Sequence, residues 1–249
     1  MRINLRHFCV NAICGLIWGR DRRRRVRTVL NANMTRNIRF IRRDLKTRIY
    51  KLKINTGVMG RNVLVLVNNK WAYKFPVASE NYNAKAVREK RIVDALRKYS
   101  PVYVPDVELI TMHTRDGDVV VRKYEFVPGC TVREMSPETV LNNLDTLARQ
   151  IAAAVYKIAC ADPKSIRDLK PTPNERPGYM RGWCQGDICD NFMIDEKTMR
   201  ITAYIDWEDS RFINLRPLFQ HYKKSPSREL MMATMREYDK LYKKDNDKR

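Results

Sequence analysis

Apolar positions recur along this chain with two different periods, and the changes of period divide it. Ile38, Ile41, Leu45 and Ile49 fall at helical spacing inside a basic stretch, which predicts a cationic amphipathic helix over roughly 33–47. RIYKLKIN, residues 48–55, then alternates apolar and charged positions, the two-residue period of a strand. After NTGVMG, which carries Gly57 and Gly60, the runs RNVLVLVNN and KWAYKFP predict two more strands turning at Asn68-Asn69. From Ser79 to Tyr99 the period is helical again, with Ala86, Ile92, Val93 and Leu96 apolar. VELITMHT and DVVVRKYEFV predict a further strand pair joined at Asp116-Gly117.

Beyond Pro128-Gly129 the character changes. Ser136, Pro137 and Glu138 start a helix that runs to about Cys160, with Leu144, Leu147, Ile151, Ala154, Val155 and Ile158 as its apolar face. A loop rich in proline follows, through Pro163, Pro171, Pro173 and Pro177. Two short segments, GWCQGDICDNFMID from Gly182 to Asp195 and AYIDWEDS from Ala203 to Ser210, predict short strands or turns with acidic ends. A last helix is expected from about Ser227 to Lys243, with LMMATM in its core. A strand-rich half before a helical half predicts a bilobal α+β fold. The expected boundaries are 1–47 for a basic amphipathic N-terminal segment, 48–127 for the strand-rich lobe and 128–249 for the mainly helical lobe.

Composition sharpens this picture at one end of the chain. A hydrophobic content of 44% over 249 residues supplies a substantial core. The net charge of +21 is uneven, because the first 53 residues hold sixteen Lys or Arg against Asp21 and Asp44. That end calls for an anionic partner, a lipid surface or a nucleic acid, or is a solvated tail. It lacks the interleaved aromatics of a base-stacking platform, which argues against nucleic acid. Phe8 to Trp18 is too short to span a bilayer. On a helix, Leu5, Cys9, Ala12, Ile13 and Leu16 share a face followed by RDRRRR, either an interfacial anchor or a helix packed on its own protein. The six cysteines form no C-x-x-C pair and there are three histidines, so zinc-site spacing is absent and a reducing cytoplasm is expected.

Asp187 and Asp206, nineteen positions apart, each close a hydrophobic segment. Phosphoryl transfer needs such a pair, one carboxylate to take the proton of the acceptor hydroxyl and one to hold magnesium against the phosphates. QGDICDN followed by IDWED resembles the paired signatures of the aminoglycoside phosphotransferase and choline kinase family, which has a protein-kinase-like fold. Lys74 in WAYKF matches that family's third-strand lysine, Glu89 in VREKRIVDAL its helical partner, and EFVPG, residues 125–129, the hinge that receives adenine.

The resemblance covers roughly residues 48–215. It implies an ATP- and Mg²⁺-dependent kinase acting on a hydroxyl, with Asp187 as catalytic base and Asp206 and Asn191 as metal ligands. Lys74 becomes the phosphate clamp, Glu89 its ion-pair partner, Glu125 and Val127 the adenine hinge, and the backbone from Gly57 to Gly60 a cover over the phosphates.

Two departures stand out. Gln185 replaces the family's usual histidine, and Asn191 follows Asp187 by four residues where five are usual. Either the loop is rebuilt locally, or Asp190 shares the metal role, or the metal site is impaired. The basic leader, ICGLIWGRDRRRRVRTVLNANMTRNIRFIRR, also resembles leaders of some bacterial lipopolysaccharide and capsule biosynthesis proteins. That implies a small-molecule or cell-envelope glycan acceptor and a cytoplasmic site, peripheral on the inner membrane face. A degenerate, partner-binding kinase fold and an antibiotic-modifying kinase remain the rival readings, beside the nucleic-acid binder. Taken singly, Lys74 reads as a lysine snorkelling from an edge strand, Glu89 as a surface ion pair with Arg88 or Lys90, and Trp207, Cys184 and Cys189 as core.

Overall fold

A computed structural model of the protein describes residues 19–56, 62–77 and 81–247. Gly57, Gly60 and the apolar run from Phe8 to Trp18 lie outside the described residues. The chain forms two compact units, Met1–Val87 with Val107–Phe126, and Arg88–Asp106 with Val127–Arg249.

The first unit opens with helices α1 (Arg20–Asn31) and α2 (Met34–Leu45). Three strands follow, β1 (Leu52–Thr56), β2 (Asn62–Val67) and β3 (Trp71–Pro76). The chain leaves this unit within α3 (Tyr82–Leu96) and returns for β4 (Glu108–Thr114) and β5 (Gly117–Glu125). The strands pair antiparallel in the order β1-β2-β3-β5-β4. Alternation sets the buried face, since Val63, Val65 and Val67 of β2 and Tyr73 and Phe75 of β3 point into one core. Ala32 and Ile41 from the helical end close that core, and Phe40 meets Phe75 edge-on at 6.0 Å.

The amphipathic face read over 33–47 is therefore spent on the sheet. Full burial of Ile41 alone contributes about 1.5–3 kcal/mol. Asp44 fixes the end of α2, accepting from the Tyr73 hydroxyl and pairing with Lys123 at 3.1 Å.

In the second unit, residues 88–106 carry most of α3 and then run as loop, with Tyr103 bridging Ala203. The helix expected to run unbroken from Ser136 to Cys160 is two, α4 (Pro137–Asn142) and α5 (Leu144–Ala159). The Ser136 hydroxyl caps the first by accepting from the Thr139 amide. The break falls at Asn143, whose side-chain amide donates to the Thr139 carbonyl at 2.9 Å. Asparagine competes in this way with the helical ladder, and here it ends one helix and begins the next.

Strands β6 (Arg181–Cys184), β7 (Phe192–Asp195), β8 (Arg200–Tyr204) and β9 (Arg211–Asn214) pair as β6 with β9 and β7 with β8. Helices α6 (Arg216–Gln220) and α7 (Ser227–Asn246) complete the unit. α5 lies along α7, with Tyr156 edge-on to Tyr238 at 5.3 Å. Its end sits so close to β6 that a Cβ on Gly182 would come 2.1 Å from the Ala159 carbonyl oxygen, which admits only glycine.

Candidate functional site

Both acidic turns belong to the second unit, and one buried side chain ties them together. Gln185 leaves β6 with 1% of its surface exposed. Its Oε1 accepts from the Asp187 amide at 2.7 Å. Its Nε2 donates to the Ile205 carbonyl at 3.3 Å and to the Asp206 carbonyl. The residue standing at the resembled family's histidine thus clamps the backbone of one aspartate to the backbone of the other.

The turns also touch directly. Gly186 holds φ +106°, and a Cβ there would lie 2.8 Å from the Asp209 carbonyl oxygen. The buried Ser210 hydroxyl donates to Trp207 at 2.6 Å, and the Trp207 indole to the Tyr204 carbonyl at 2.9 Å. Trp207 is core, as its setting in the sequence suggested.

Asp187 carries three donors on one oxygen. Its Oδ1 accepts from the amides of Cys189 at 3.3 Å and Asp190 at 3.2 Å, and from the Tyr222 hydroxyl at 2.5 Å. Its Oδ2 accepts nothing among the described residues. The two amide bonds fold residues 187–190 into a tight turn capped by the aspartate itself.

Burial, followed by the charge of Asp187, pushes the Asp190 carboxyl above its ordinary range, while Arg133 pulls the other way. Burial and the bond to Asp187 raise Tyr222 well above an ordinary phenol, so it stays protonated and donating. Burial also pushes the thiols of Cys184 and Cys189 up to about 12, which keeps both unreactive.

Asp206 is exposed and left-handed, at φ 60° and ψ 62°. This conformation costs a residue with a Cβ roughly 1 kcal/mol or more, and here the Gln185 bond and the 3₁₀ turn Trp207–Asp209 hold it. Next to it, the Ile205 amide donates to the Asn191 carbonyl at 2.9 Å. The structure therefore brings Asp187, Asn191 and Asp206 onto adjoining turns. A carboxylate and a side-chain amide are hard oxygen donors, the kind magnesium takes alongside water and phosphate, so this set fits that ion. No three His, Cys, Asp or Glu converge among the described residues.

Lys74 lies in the first unit, on β3, paired with Leu64 and Arg122 in register. Only 8% of it is exposed, and Glu89 on α3 in the second unit is 1% exposed. Neither is a solvated surface charge, so the snorkelling lysine and the surface ion pair are both set aside. Glu125 ends β5 exposed, and Val127, half-buried, is the first residue of the second unit after it. Tyr222 was not read from the sequence at all. It lies 35 residues beyond Asp187, in a connection between α6 and α7 with no periodic or motif signal.

No protein-family model and no curated protein sequence matches the chain. Solved structures do match in fold. The GDP complex of wild-type aminoglycoside 2'-phosphotransferase-IIIa superposes with a TM-score of 0.62 at 14% identity, over 83% of each chain. A streptomycin-ATP ternary complex of APH(2")-IIa gives 0.54 at 12% identity, over 81% of this chain and 82% of the other. The apoenzyme of macrolide 2'-phosphotransferase MphH from Brachybacterium faecium gives 0.52 at 15% identity, over 82% of each. At such identities the likeness is one of fold, and the α+β, protein-kinase-like architecture is shared with these phosphotransferases.

Proposed function

We propose that this protein is an ATP- and Mg²⁺-dependent phosphotransferase acting on a hydroxyl of a small molecule or cell-envelope glycan. One observation carries the reading. Asp187 has one carboxylate oxygen fixed by three donors and the other accepting nothing among the described residues, on a turn that Gln185 ties to Asp206. A general base must be held rigidly and still present a lone pair to the incoming hydroxyl.

In this proposal the acceptor hydroxyl donates to Asp187 Oδ2, which takes its proton as the oxygen bonds to the γ-phosphorus, the bridging bond to the β-phosphate breaks and ADP leaves. Asp206 and Asn191 are the residues to hold Mg²⁺, which when bound neutralises phosphate charge. Lys74 grips the phosphates, Glu89 keeps the supporting role the resemblance gives it, and Glu125 and Val127 line the adenine. The fold neighbours support the class of reaction, since their names describe phosphotransferases with GDP or with ATP and streptomycin. The cell-envelope acceptor and a peripheral position on an anionic membrane face rest on the basic leader. No helix among the described residues is long and apolar enough to cross a membrane.

The test is thermal stabilisation by ATP with and without magnesium. At about a hundred times its dissociation constant, ATP should add about 2.7 kcal/mol of stability. Magnesium dependence that vanishes in Asp206→Asn supports the assignment, and phosphate transfer lost in Asp187→Asn supports the base. No response to ATP in the unaltered protein would overturn the reading. The shortened turn favours a second reading, a nucleotide-binding fold without transfer, and this predicts stabilisation by ATP with no turnover on any acceptor.

A further inference from the structure

The first unit contains a groove of about 940 Å³ between α2 and the β4–β5 hairpin, which no part of the phosphotransfer reading uses. Arg36, Arg39 and Arg43 of α2 form one wall and Arg115 of the hairpin turn faces into it from the other. Phe40 and the buried Met112 add apolar surface to its lining.

None of these four arginines makes an ion pair among the described residues. Elsewhere the pattern differs, for Arg91, Arg167, Arg181 and Arg228 each meet a carboxylate within 3 Å. The lining does hold Asp44 and Asp116, but Asp44 is already matched by Lys123 and the Tyr73 hydroxyl. The Nε of Arg36 is buried without a hydrogen-bond partner among the described residues, although a buried donor left unmet costs about 1–3 kcal/mol. A cleft with surplus guanidinium charge, an unmet donor and an apolar floor is built for an anion that brings its own acceptors.

We propose that this groove binds a ligand carrying two or more phosphates on a body with apolar surface. Arginine is the side chain suited to such a ligand, because its planar fork meets phosphate oxygens in pairs. Arg36, Arg39 and Arg43 are three and then four residues apart, so they line one helical face about 10 Å long. A single phosphate meets one or two of them, whereas a diphosphate or bisphosphorylated headgroup spans the row. The volume suits it too, since pockets for small organic ligands run to about 300–1,000 Å³.

The same chemistry is found in a free diphosphate and in a two-phosphate lipid headgroup, and the experiment separates them. Inorganic pyrophosphate is titrated calorimetrically into the full-length protein, its Arg39→Glu/Arg43→Glu variant and, separately, its Arg115→Glu variant. These side chains are exposed, so the variants should fold, and circular dichroism checks it. Both should weaken pyrophosphate about ten-fold or more, while Arg200→Glu, on an exposed position of the second unit, should not. Unchanged affinity in both groove variants, or an equal loss in the Arg200 control, would overturn the proposal. Co-sedimentation with phosphatidylcholine vesicles, with or without cardiolipin, then gives the source. Cardiolipin-dependent retention lost in both groove variants identifies the lipid. Pyrophosphate binding without retention identifies the soluble phosphate, and neither kind of binding overturns the site.

Discussion

The bond from Tyr222 to Asp187 should appear as a coupling energy between two residues 35 positions apart. The phenol is half-buried and protonated and the acceptor is a carboxylate, so the contact belongs to the charge-assisted class, worth about 1.5–3 kcal/mol net. Tyr222→Phe keeps the ring and its edge contact with His221 at 5.6 Å and removes only the hydroxyl. Asp187→Ala removes the acceptor but also frees the amides of Cys189 and Asp190, so the single variants cannot be compared directly. A double-mutant cycle isolates the shared term. Urea unfolding followed by tryptophan fluorescence suits it, because Trp183 and Trp207 are both buried in the unit that holds the bond. The expected coupling is about 1.5 kcal/mol or more. A value below about 0.5 kcal/mol, the level at which independent sites already add, would refute the idea that Tyr222 holds the Asp187 carboxylate.

Three further outcomes follow from the same geometry. Gly186→Ala should destabilise the second unit by more than about 1 kcal/mol and weaken any magnesium-ATP stabilisation, since a Cβ at φ +106° would press on Asp209 at 2.8 Å. Asp162 is drawn upward by burial, but hydrogen bonds from Lys170 and Arg167 outweigh this and hold it below the usual carboxylate range. A depressed folded-state value means stability that is complete above the unfolded value near 3.9 and is lost as pH falls through the folded one. Asp162→Asn should therefore flatten the acid limb of stability against pH. It should also cost about 3 kcal/mol at neutral pH, because the Lys170 side chain it leaves is 0% exposed. Finally, with Cys9 and Cys14 replaced by serine, a thiol reagent at pH 8 should label the exposed Cys160 quickly and leave Cys184 and Cys189 untouched until the protein unfolds.

What could be read from the sequence follows the range of the forces involved. Strands β1 to β5 were legible because alternation is local and turns such as Asp116-Gly117 announce themselves. The break at Asn143 was written as two adjacent asparagines, yet the apolar spacing ran through it and hid the side-chain bond to Thr139. Asp187 and Asp206 were legible as two acidic ends of apolar segments, but nothing local says that they adjoin. That information sits in Gln185, whose type seemed a mere departure, and whose amide accepts from one turn while donating to the other. An amide can do this at any pH, because both functions are permanent, whereas a neutral imidazole must hold the right tautomer and a charged one can only donate. Gln185 therefore fixes the two turns through a group that does not titrate. On this argument the pH-rate profile of the proposed phosphotransfer should contain no step from the linker between the two turns.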